Sequence, residues 1–378
     1  MAGSFRVGSL FGIEIRLHIS WLVIFALVFF TLWQGEFKDN YPLWSQEKRL
    51  IVSVITALLF FCSIIAHELS HSLVARRFNM SVSSITLFML GGVANLRQEP
   101  PSAKAEFFMA SAGPAMSVVI GLAGTSISSL IGYGRDPLIQ VVGAVAGYLG
   151  FINLALAVFN MLPGFPLDGG RVLRSAIWAV RHDRAKATLI AARGGQAVAG
   201  LFVLWGVVQF NEGGNALWVW PFLLAYFLYN AATQSLQQER TSTLAAGMRV
   251  GPLMSTTFTA TDPRSTVANV VRDLLLPHHL RAVPVLSGQS FLGLMTAEDV
   301  QKIDHEHWAT TPVEQVMQPA AGLEKLEPED DLTKAVDRFG AATVLPVMHD
   351  GRLVGLLDRD AVANYIRMRD LFTHAQGR

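Results

Sequence analysis

The sequence predicts a polytopic α-helical membrane protein of about six spans, followed by a soluble α+β part built as a tandem repeat. Three observations support this fold class. Of the 378 residues, 51% are apolar and only 16% are charged, against roughly 25% charged residues in soluble domains. Long apolar runs are confined to residues 1–240. Beyond residue 240 the composition is that of ordinary soluble sequence, and a pattern of two apolar stretches joined by a turn occurs twice.

Six apolar segments approach the length of about 20 residues that a helix needs to cross a bilayer core. They cover residues 17–34, 50–75, 106–131, 138–160, 196–211 and 216–235. The fifth is short, so we expect its helix to extend on the N-terminal side. No small-residue cleavage site follows the first run, which we therefore interpret as a retained anchor rather than a signal peptide.

The distribution of positive charge predicts the orientation of these spans. Six spans place both termini on the same side of the membrane. If that side is the cytoplasm, the inside loops carry 13 Lys and Arg and the outside loops carry 4, which agrees with the positive-inside rule. We therefore predict a multi-pass protein of the cell (inner) membrane with the N-terminus and the C-terminal part in the cytoplasm.

Net charge and cysteine content exclude several other classes. A net charge of +1 gives no reason to expect nucleic acid as a partner. The single cysteine, Cys62, excludes an internal disulfide framework and a cysteine-based zinc cluster.

The second apolar run contains His67-Glu68-Leu69-Ser70-His71, an H-E-x-x-H pattern. On a helix, positions i and i+4 share a face, so both imidazoles can bind one metal ion and Glu68 can act as general base on a water at that metal. Zinc lowers the pKa of a bound water to about 7, which makes it a nucleophile for amide hydrolysis. Ionisable side chains inside an apolar span mark function by default. The alternative is that the two histidines hydrogen-bond to neighbouring helices.

A third ligand is expected from residues 160–171, which follow the fourth span and read NMLPGFPLDGGR. The prolines and glycines in this segment break helical structure, and irregular backbone at membrane depth is tolerated only where it is buried or lines a watery cavity. Taken alone, Asp168 reads as the N-cap of a following helix. Beside an H-E-x-x-H pattern that lacks an oxygen ligand, we predict instead that Asp168 completes the metal site.

These two motifs together resemble the site-2 protease family of intramembrane metalloproteases, whose pattern is H-E-x-x-H with N-x-x-P-x-x-x-L-D-G downstream. The resemblance covers about residues 1–235. It implies that His67, His71 and Asp168 bind one zinc ion per chain and that Glu68 is the catalytic base. It also implies that Asn160 assists near the scissile carbonyl. The alternative for Asn160 is an interhelical hydrogen bond.

Two further stretches fit the same family. Residues 83–95 form a strand-like run around Gly91 and Gly92, where the family has a hairpin or re-entrant loop beside the site. We expect the edge of this hairpin to hold an unwound substrate by main-chain pairing. The A-G-P sequence at 112–114 opens the third span as the family motif does, and Ser117 stands where the family commonly has Asn.

In the C-terminal part, residues 281–300 align with residues 342–362, and each copy predicts a strand, a turn, a second strand and a helix. The repeat resembles a tandem pair of cystathionine-β-synthase (CBS) domains. The predicted domains are a transmembrane metalloprotease domain at 1–240, CBS domain one at 245–305 and CBS domain two at 306–370.

The CBS resemblance implies an adenine nucleotide as a cofactor and pairing of two chains in a homodimer. The family's ribose-contacting pattern, G-x-x-[S/T]-x-x-D, is present in the first copy as Gly293, Thr296 and Asp299, whereas Asp358 and Ala361 stand at the last two positions in the second. The alternative is a structural or dimerising module in which Thr296 and Asp299 cap the following helix.

Together these motifs predict a zinc-dependent intramembrane endopeptidase that cleaves within or near the transmembrane segments of single-pass membrane proteins and is regulated by its cytoplasmic CBS pair. The alternative is a CBS-regulated metal transporter or channel whose ion path is lined by the histidines and Asp168. Glu68 separates the two, because a protease needs a base beside the ligands and a channel does not. An inactive relative that only binds membrane partners is a third option.

Overall fold

The structure is a computed structural model of the chain. It describes residues 3–89, 91–96, 100–131, 136–211, 219–340 and 342–376. The chain divides into two units, Met1–Gln237 and Gln238–Arg378.

Five helices of the first unit are long and apolar enough to cross a membrane. The first, Trp21–Asn40, consists of α1 (Trp21–Thr31), a π-helical turn (Leu32–Glu36) and α2 (Phe37–Asn40). The next three are α3 (Gln46–Arg77), α4 (Ala103–Ile131) and α5 (Pro137–Asn160). After the short α6 (Asp168–Arg181), the fifth is α7 (Arg184–Asn211). The predicted helical membrane part is confirmed, and α7 has the expected N-terminal extension.

The sixth predicted span, residues 216–235, lies partly outside the described residues. Its described part belongs to α8 (Val219–Ala245), on which Leu223, Tyr226 and Tyr229 are each more than half exposed. The second half of α8 is polar, and this helix is not among the five that meet the length and hydropathy of a span. The described residues therefore give five candidate spans, and the sixth stays a prediction.

A four-stranded sheet accompanies these helices in the first unit. Its strands, in order, are β1 (Ser4–Leu10), β2 (Ile13–His18), β3 (Val82–Phe88) and β4 (Gly91–Leu96). Two antiparallel hairpins, β1–β2 and β3–β4, join through the parallel pair β2–β3. Ile13 and Ile85 pack against Ala75 of α3 and Met109 of α4. The strand-like run predicted at residues 83–95 is thus a hairpin, and β4 is an edge strand of the described sheet.

Helices α4 and α5 approach closely because small residues line their contact. A Cβ on Gly121 would lie 2.6 Å from the Leu154 side chain, and one on Gly124 would lie 2.6 Å from the carbonyl oxygen of Ala146. Small residues at such positions let two helix backbones meet inside a membrane, where dispersion forces rather than hydrophobic exclusion drive packing. This contact fixes α5, and with it the start of the broken segment that follows.

The break between α5 and α6 is confirmed as irregular backbone packed against α7. The Phe165 N–H donates to the carbonyl oxygen of Ala191 at 3.1 Å. A Cβ on Gly164 would lie 2.2 Å from the backbone nitrogen of Gly195. Because the backbones touch, no side chain fits at residue 164, and the segment has little freedom to move. It ends at Asp168, the first residue of α6.

The second unit contains the predicted repeat. The first copy comprises α9 (Val267–Val270), β5 (Ala282–Ser287), β6 (Ser290–Thr296) and α10 (Ala297–Val300), with the short β7 (Gln318–Pro319) added to its sheet. The second comprises α11 (Leu332–Phe339), β8 (Val344–His349), β9 (Arg352–Asp358) and α12 (Arg359–Gln376). Both hairpins turn through residues with positive φ, namely Gly288, Asp350 and Gly351. The strand–turn–strand–helix pattern is confirmed in both copies.

Matching methionines and glycines of the two copies are in contact. The Sδ of Met317 lies 3.2 Å from the position of a Cβ on Gly293, and the Sδ of Met254 lies 2.8 Å from the position of a Cβ on Gly355. Each methionine thus lies where a side chain on the second strand would project, and at Gly293 the carbonyl oxygen of Gln318 would be closer still, at 2.2 Å. This packing explains why both copies have glycine at this position.

Candidate metal centre

Three side chains from two distant parts of the first unit converge on one point. His67 and His71 lie one helical turn apart on α3, and Asp168 begins α6. The Nε2 atoms of the two imidazoles are 3.1 Å apart, and each is 3.2 Å from the Oδ2 atom of Asp168. The three side chains are 5%, 12% and 17% exposed, respectively. The H-E-x-x-H helix and the broken segment therefore meet, as the sequence predicted.

The opposite ring nitrogens of the histidines are held by α4. The Nδ1 atom of His71 lies 2.7 Å from the carbonyl oxygen of Met109. A carbonyl oxygen only accepts, so Nδ1 carries the proton and the neutral ring has a free lone pair on Nε2. The Nδ1 atom of His67 lies 2.8 Å from the Oγ atom of Ser117, which is fully buried. Hydrogen bonds of this kind orient metal-binding imidazoles and increase their basicity.

Gly113 of α4 leaves space in front of the two imidazoles. A Cβ at this residue would lie 2.2 Å from Nε2 of His71 and 2.5 Å from Nε2 of His67. The absence of a side chain at this residue therefore keeps the space beside both Nε2 atoms open. The A-G-P motif thus has a steric role that its sequence alone did not reveal.

The three donor atoms fit a zinc ion. Four ligands arranged tetrahedrally at about 2.0–2.1 Å from the metal lie roughly 3.3 Å from one another, close to the 3.1–3.2 Å separations observed. Two imidazoles and one carboxylate form a donor set that leaves a coordination position open for catalysis. His67, His71 and Asp168 are also the one group of three or more His, Cys, Asp or Glu residues that the described parts of the chain assemble with metal-binding geometry.

Glu68 lies beside this group but is not one of the converging donors. It follows His67 on α3, and its side chain packs against the β3–β4 hairpin. A Cβ on Gly92 would lie 2.4 Å from Cγ and 3.1 Å from Oε1 of Glu68. The side chain of the predicted base thus contacts the edge strand β4 from the helix that carries both imidazoles.

The next predicted site residue, Asn160, is not one of the converging donors. Asn160 is the last residue of α5 and, within the described structure, makes no hydrogen bond to His67, His71 or Asp168. No sequence signal pointed to the Met109 carbonyl group. The signal for Ser117 was its position three residues after Pro114 of the A-G-P sequence, where the family commonly has Asn.

In the second unit, Thr296 and Asp299 form a capping box at the start of α10. The Thr296 hydroxyl donates to Asp299 Oδ2 at 2.6 Å, Gln318 donates to the same oxygen at 2.9 Å, and Lys302 donates to Oδ1 at 2.7 Å. This is the helix-capping arrangement that the sequence offered as the alternative to nucleotide contact.

Comparison with known proteins identifies the family. The model of peptidase family M50 matches residues 55–145 and 125–203. A Synechocystis sp. protein is 33% identical over 96% of this chain and 95% of its own length. Rip3 of Mycobacterium tuberculosis is 30% identical over 100% of this chain and 95% of its own length. Both names contain the words zinc metalloprotease. The chain belongs to peptidase family M50.

Membership of family M50 confirms the predicted zinc metalloprotease of the site-2 protease type, a multi-pass membrane enzyme. It favours the protease over the transporter or channel alternative. Among solved structures, the Site-2 Protease from Methanocaldococcus jannaschii is 31% identical, with a TM-score of 0.43 over 62% of this chain and 95% of that chain. The second unit of this M50 protein is similar to the CBS domain of a bacterial CNNM/CorC family Mg²⁺ transporter in complex with ATP. That likeness has 17% identity and a TM-score of 0.30 over 35% of this chain and 97% of that chain.

Proposed function

We propose that this M50 protein holds one zinc ion per chain on His67, His71 and Asp168 and cleaves single-pass membrane proteins within or near their transmembrane segments, with Glu68 as general base. The observation that carries the proposal is the convergence of three donor atoms within 3.2 Å of one another, with Glu68 next to them in the sequence. If the two histidines had only a structural role, no carboxylate oxygen would be needed beside both of their Nε2 atoms.

Each residue of the centre has a defined part in amide hydrolysis. Zinc bound by the three donors supplies Lewis-acid activation of the attacking water and of the scissile carbonyl. Glu68 takes a proton from the water as its oxygen bonds to the carbonyl carbon, and it returns that proton to the amide nitrogen as the C–N bond breaks. We assign Asn160 a hydrogen bond to the oxygen of the scissile carbonyl, on the basis of the N-x-x-P-x-x-x-L-D-G motif.

The sheet edge offers a way to present a substrate. A transmembrane helix hides its peptide bonds in internal hydrogen bonds, so it must unwind before hydrolysis. We propose that the unwound segment pairs with β4, whose other side is occupied by β3. The contact between Gly92 and Glu68 supports this assignment, because a strand paired at Gly92 would pass close to the general base.

The orientation in the membrane follows from the charges. We propose that the N-terminus and the second unit lie in the cytoplasm and that the protein resides in the cell (inner) membrane. The bias of 13 against 4 Lys and Arg supports this orientation if the first half of α8 crosses the bilayer as a sixth span.

For the second unit we propose a pair of CBS domains at 245–305 and 306–370 that regulates the protease and pairs between chains. The repeated hairpins and the crossed Met–Gly contacts support two equivalent modules. We propose that an adenine nucleotide binds near Thr296 and Asp299. Because the oxygens of Asp299 already accept from Thr296, Gln318 and Lys302, a ribose hydroxyl would have to join or replace those bonds.

Reconstitution in liposomes tests this proposal. The purified protein is combined with a single-pass membrane substrate, and wild type is compared with Glu68→Gln, which keeps the three donors but removes the base. Glu47→Gln, at the exposed start of the same helix, is the matched control. We expect Glu68→Gln to retain zinc and lose cleavage by about 10²–10⁴-fold. Cleavage by Glu68→Gln at the wild-type rate would refute the mechanism.

A further inference from the structure

A buried ion pair joins the two helices that surround the metal-binding group. Glu106 lies in the first turn of α4 and is completely buried, and Arg174 of α6 is 12% exposed. The Nε atom of Arg174 donates to Glu106 Oε1 at 2.8 Å, and Nη2 contacts the same oxygen. Charges are costly inside a membrane protein and mark a functional or organising role by default.

Arg174 also reaches two other parts of the first unit. Its Nη1 atom lies 3.5 Å from the hydroxyl of Thr188 on α7. Its guanidinium carbon lies 4.9 Å from the centre of the Phe165 ring, in the broken segment that leads to Asp168. A planar guanidinium can make these contacts at once because it combines forked donors with a stacking face. Arg174 therefore links α4, α7 and the segment just before the third metal-binding residue.

The face of α4 that carries Glu106 also contacts both imidazoles. Met109, Gly113 and Ser117 follow Glu106 at three- and four-residue steps, which places them on one side of the helix. The Met109 carbonyl oxygen accepts a hydrogen bond from Nδ1 of His71, and the Ser117 hydroxyl is hydrogen-bonded to Nδ1 of His67. Gly113 leaves space in front of both Nε2 atoms. Any slide or rotation of α6 against this face would move the Asp168 carboxylate relative to the imidazoles.

The N-terminus of α6 packs against the broken segment but has no side-chain cap. A Cβ on Gly169 would lie 2.4 Å from the carbonyl oxygen of Leu162, and the N-cap residue, Leu167, makes no side-chain capping bond. These contacts tie the start of α6 to the segment that precedes it. Arg174 lies less than two helical turns along from Asp168 and is the residue through which α6 forms an ion pair with α4.

We propose that the Glu106–Arg174 pair is a positioning element, which fixes α6 against α4 so that Asp168 meets the two imidazoles at metal-binding distance. This inference rests on the proposed roles of His67, His71 and Asp168. A purely structural pair would act differently: replacing both buried charges by apolar residues of similar volume is often neutral for stability. A positioning pair would lose zinc affinity under the same replacement.

The test compares wild type with the double variant Glu106→Met/Arg174→Met, purified in detergent. Thermal unfolding is measured on the zinc-free forms, because bound zinc would itself raise the midpoint. Zinc affinity is measured by competition with a chromophoric chelator, and kcat with a membrane substrate. We expect an unfolding midpoint near that of wild type, with zinc affinity and kcat lowered by about 10–100-fold. Arg240→Met, which removes an Arg–Asp pair from the second unit, is the matched control and should bind zinc normally.

A folded double variant with wild-type zinc affinity and kcat would overturn the inference. If the double variant does not fold, Arg174→Lys is measured instead. This variant keeps the positive charge but loses the paired contact of Nε and Nη2 with Glu106. Wild-type zinc affinity and kcat in Arg174→Lys would likewise overturn the proposal, and a lowered affinity with an unchanged unfolding midpoint supports it. Absence of zinc from the wild-type protein would instead contradict the proposed function itself.

Discussion

Gly113 of α4 faces His71 of α3 so closely that a Cβ at residue 113 would lie 2.2 Å from the Nε2 atom of the imidazole. The second imidazole, His67, would be met at 2.5 Å. The Nδ1 atom of each ring is hydrogen-bonded to α4, so neither ring can move away from residue 113 without losing a buried partner. The metal-binding group is therefore shaped by α4 as much as by the helix that carries the H-E-x-x-H motif.

Gly113→Ala should abolish zinc binding, because the new methyl group would occupy the space in front of both Nε2 atoms. We expect zinc affinity to fall by more than about 100-fold, beyond the effect of losing a hydrogen bond that orients a metal-binding imidazole. Zinc content of the purified protein and chelator competition measure this. The matched control is Gly200→Ala on α7, where an added Cβ meets nothing within 4 Å. Normal zinc content in Gly113→Ala would contradict the proposed ligand arrangement.

Ser117→Ala should weaken zinc binding by about 10–100-fold, since it removes the hydroxyl that orients the His67 ring. The variant leaves Asp168 and His71 untouched, so we expect reduced affinity rather than complete loss. Ser72→Ala is a suitable control, because Ser72 is also buried but bonds to the Glu68 backbone carbonyl within its own helix. Equal zinc affinities for the two variants would show that the Ser117 contact does not orient the ring.

Gly92→Ala should impair catalysis while sparing the metal. The added Cβ would lie 2.4 Å from Cγ of Glu68 and displace either the general base or the edge strand. We expect kcat on a helical membrane substrate to fall at least tenfold, with zinc content unchanged. Gly8→Ala in β1, where nothing lies within 4 Å of the new Cβ, is the control. Parallel loss of zinc and activity would argue against a role of β4 in substrate presentation.

Asp299→Asn should destabilise the second unit in a pH-dependent way. Burial alone raises the pKa of Asp299, but hydrogen bonds from Lys302, Thr296 and Gln318 outweigh it and hold the pKa below its usual value. A carboxyl group with a lowered folded-state pKa adds stability above its unfolded pKa of about 3.9, and this stability is lost as pH falls through the folded value.

Thermal unfolding of the full chain, followed through the second unit, should therefore show a lower midpoint for Asp299→Asn at pH 7. The difference from wild type should shrink as the pH approaches 3. Asp350→Asn, at an exposed hairpin turn, serves as control. A difference that stays constant with pH would mean that ionisation of Asp299 does not contribute.

The convergence of His67, His71 and Asp168 was predictable because metal-site chemistry restricts sequence strongly. Imidazoles four residues apart on an apolar helix, followed by an aspartate after a proline–glycine break, leave few alternatives, and the structure brings these residues together. The repeat was predictable because turn residues and alternating strands recur at a fixed spacing.

Contacts made by α4 were not predictable from the sequence in the same way. In a membrane helix nearly every face is apolar, so periodicity does not reveal which side meets the neighbouring helices. The partners of Ser117, Met109 and Glu106 depend on helix rotation and on pairings between residues far apart in the chain. The sixth span at residues 216–235 stays a prediction, because α8 is not among the five described helices that meet the length and hydropathy of a span.

The proposed mechanism requires that two imidazoles and one carboxylate share a single zinc ion within the first unit. X-ray absorption at the zinc K-edge of the lipid-reconstituted protein tests it most directly. We expect one zinc per chain, with two imidazole nitrogens at about 2.0–2.1 Å and oxygen ligands completing the shell, and the signal of one imidazole lost in His71→Ala. A shell of oxygen atoms without imidazole scattering, unchanged in His71→Ala, would contradict it.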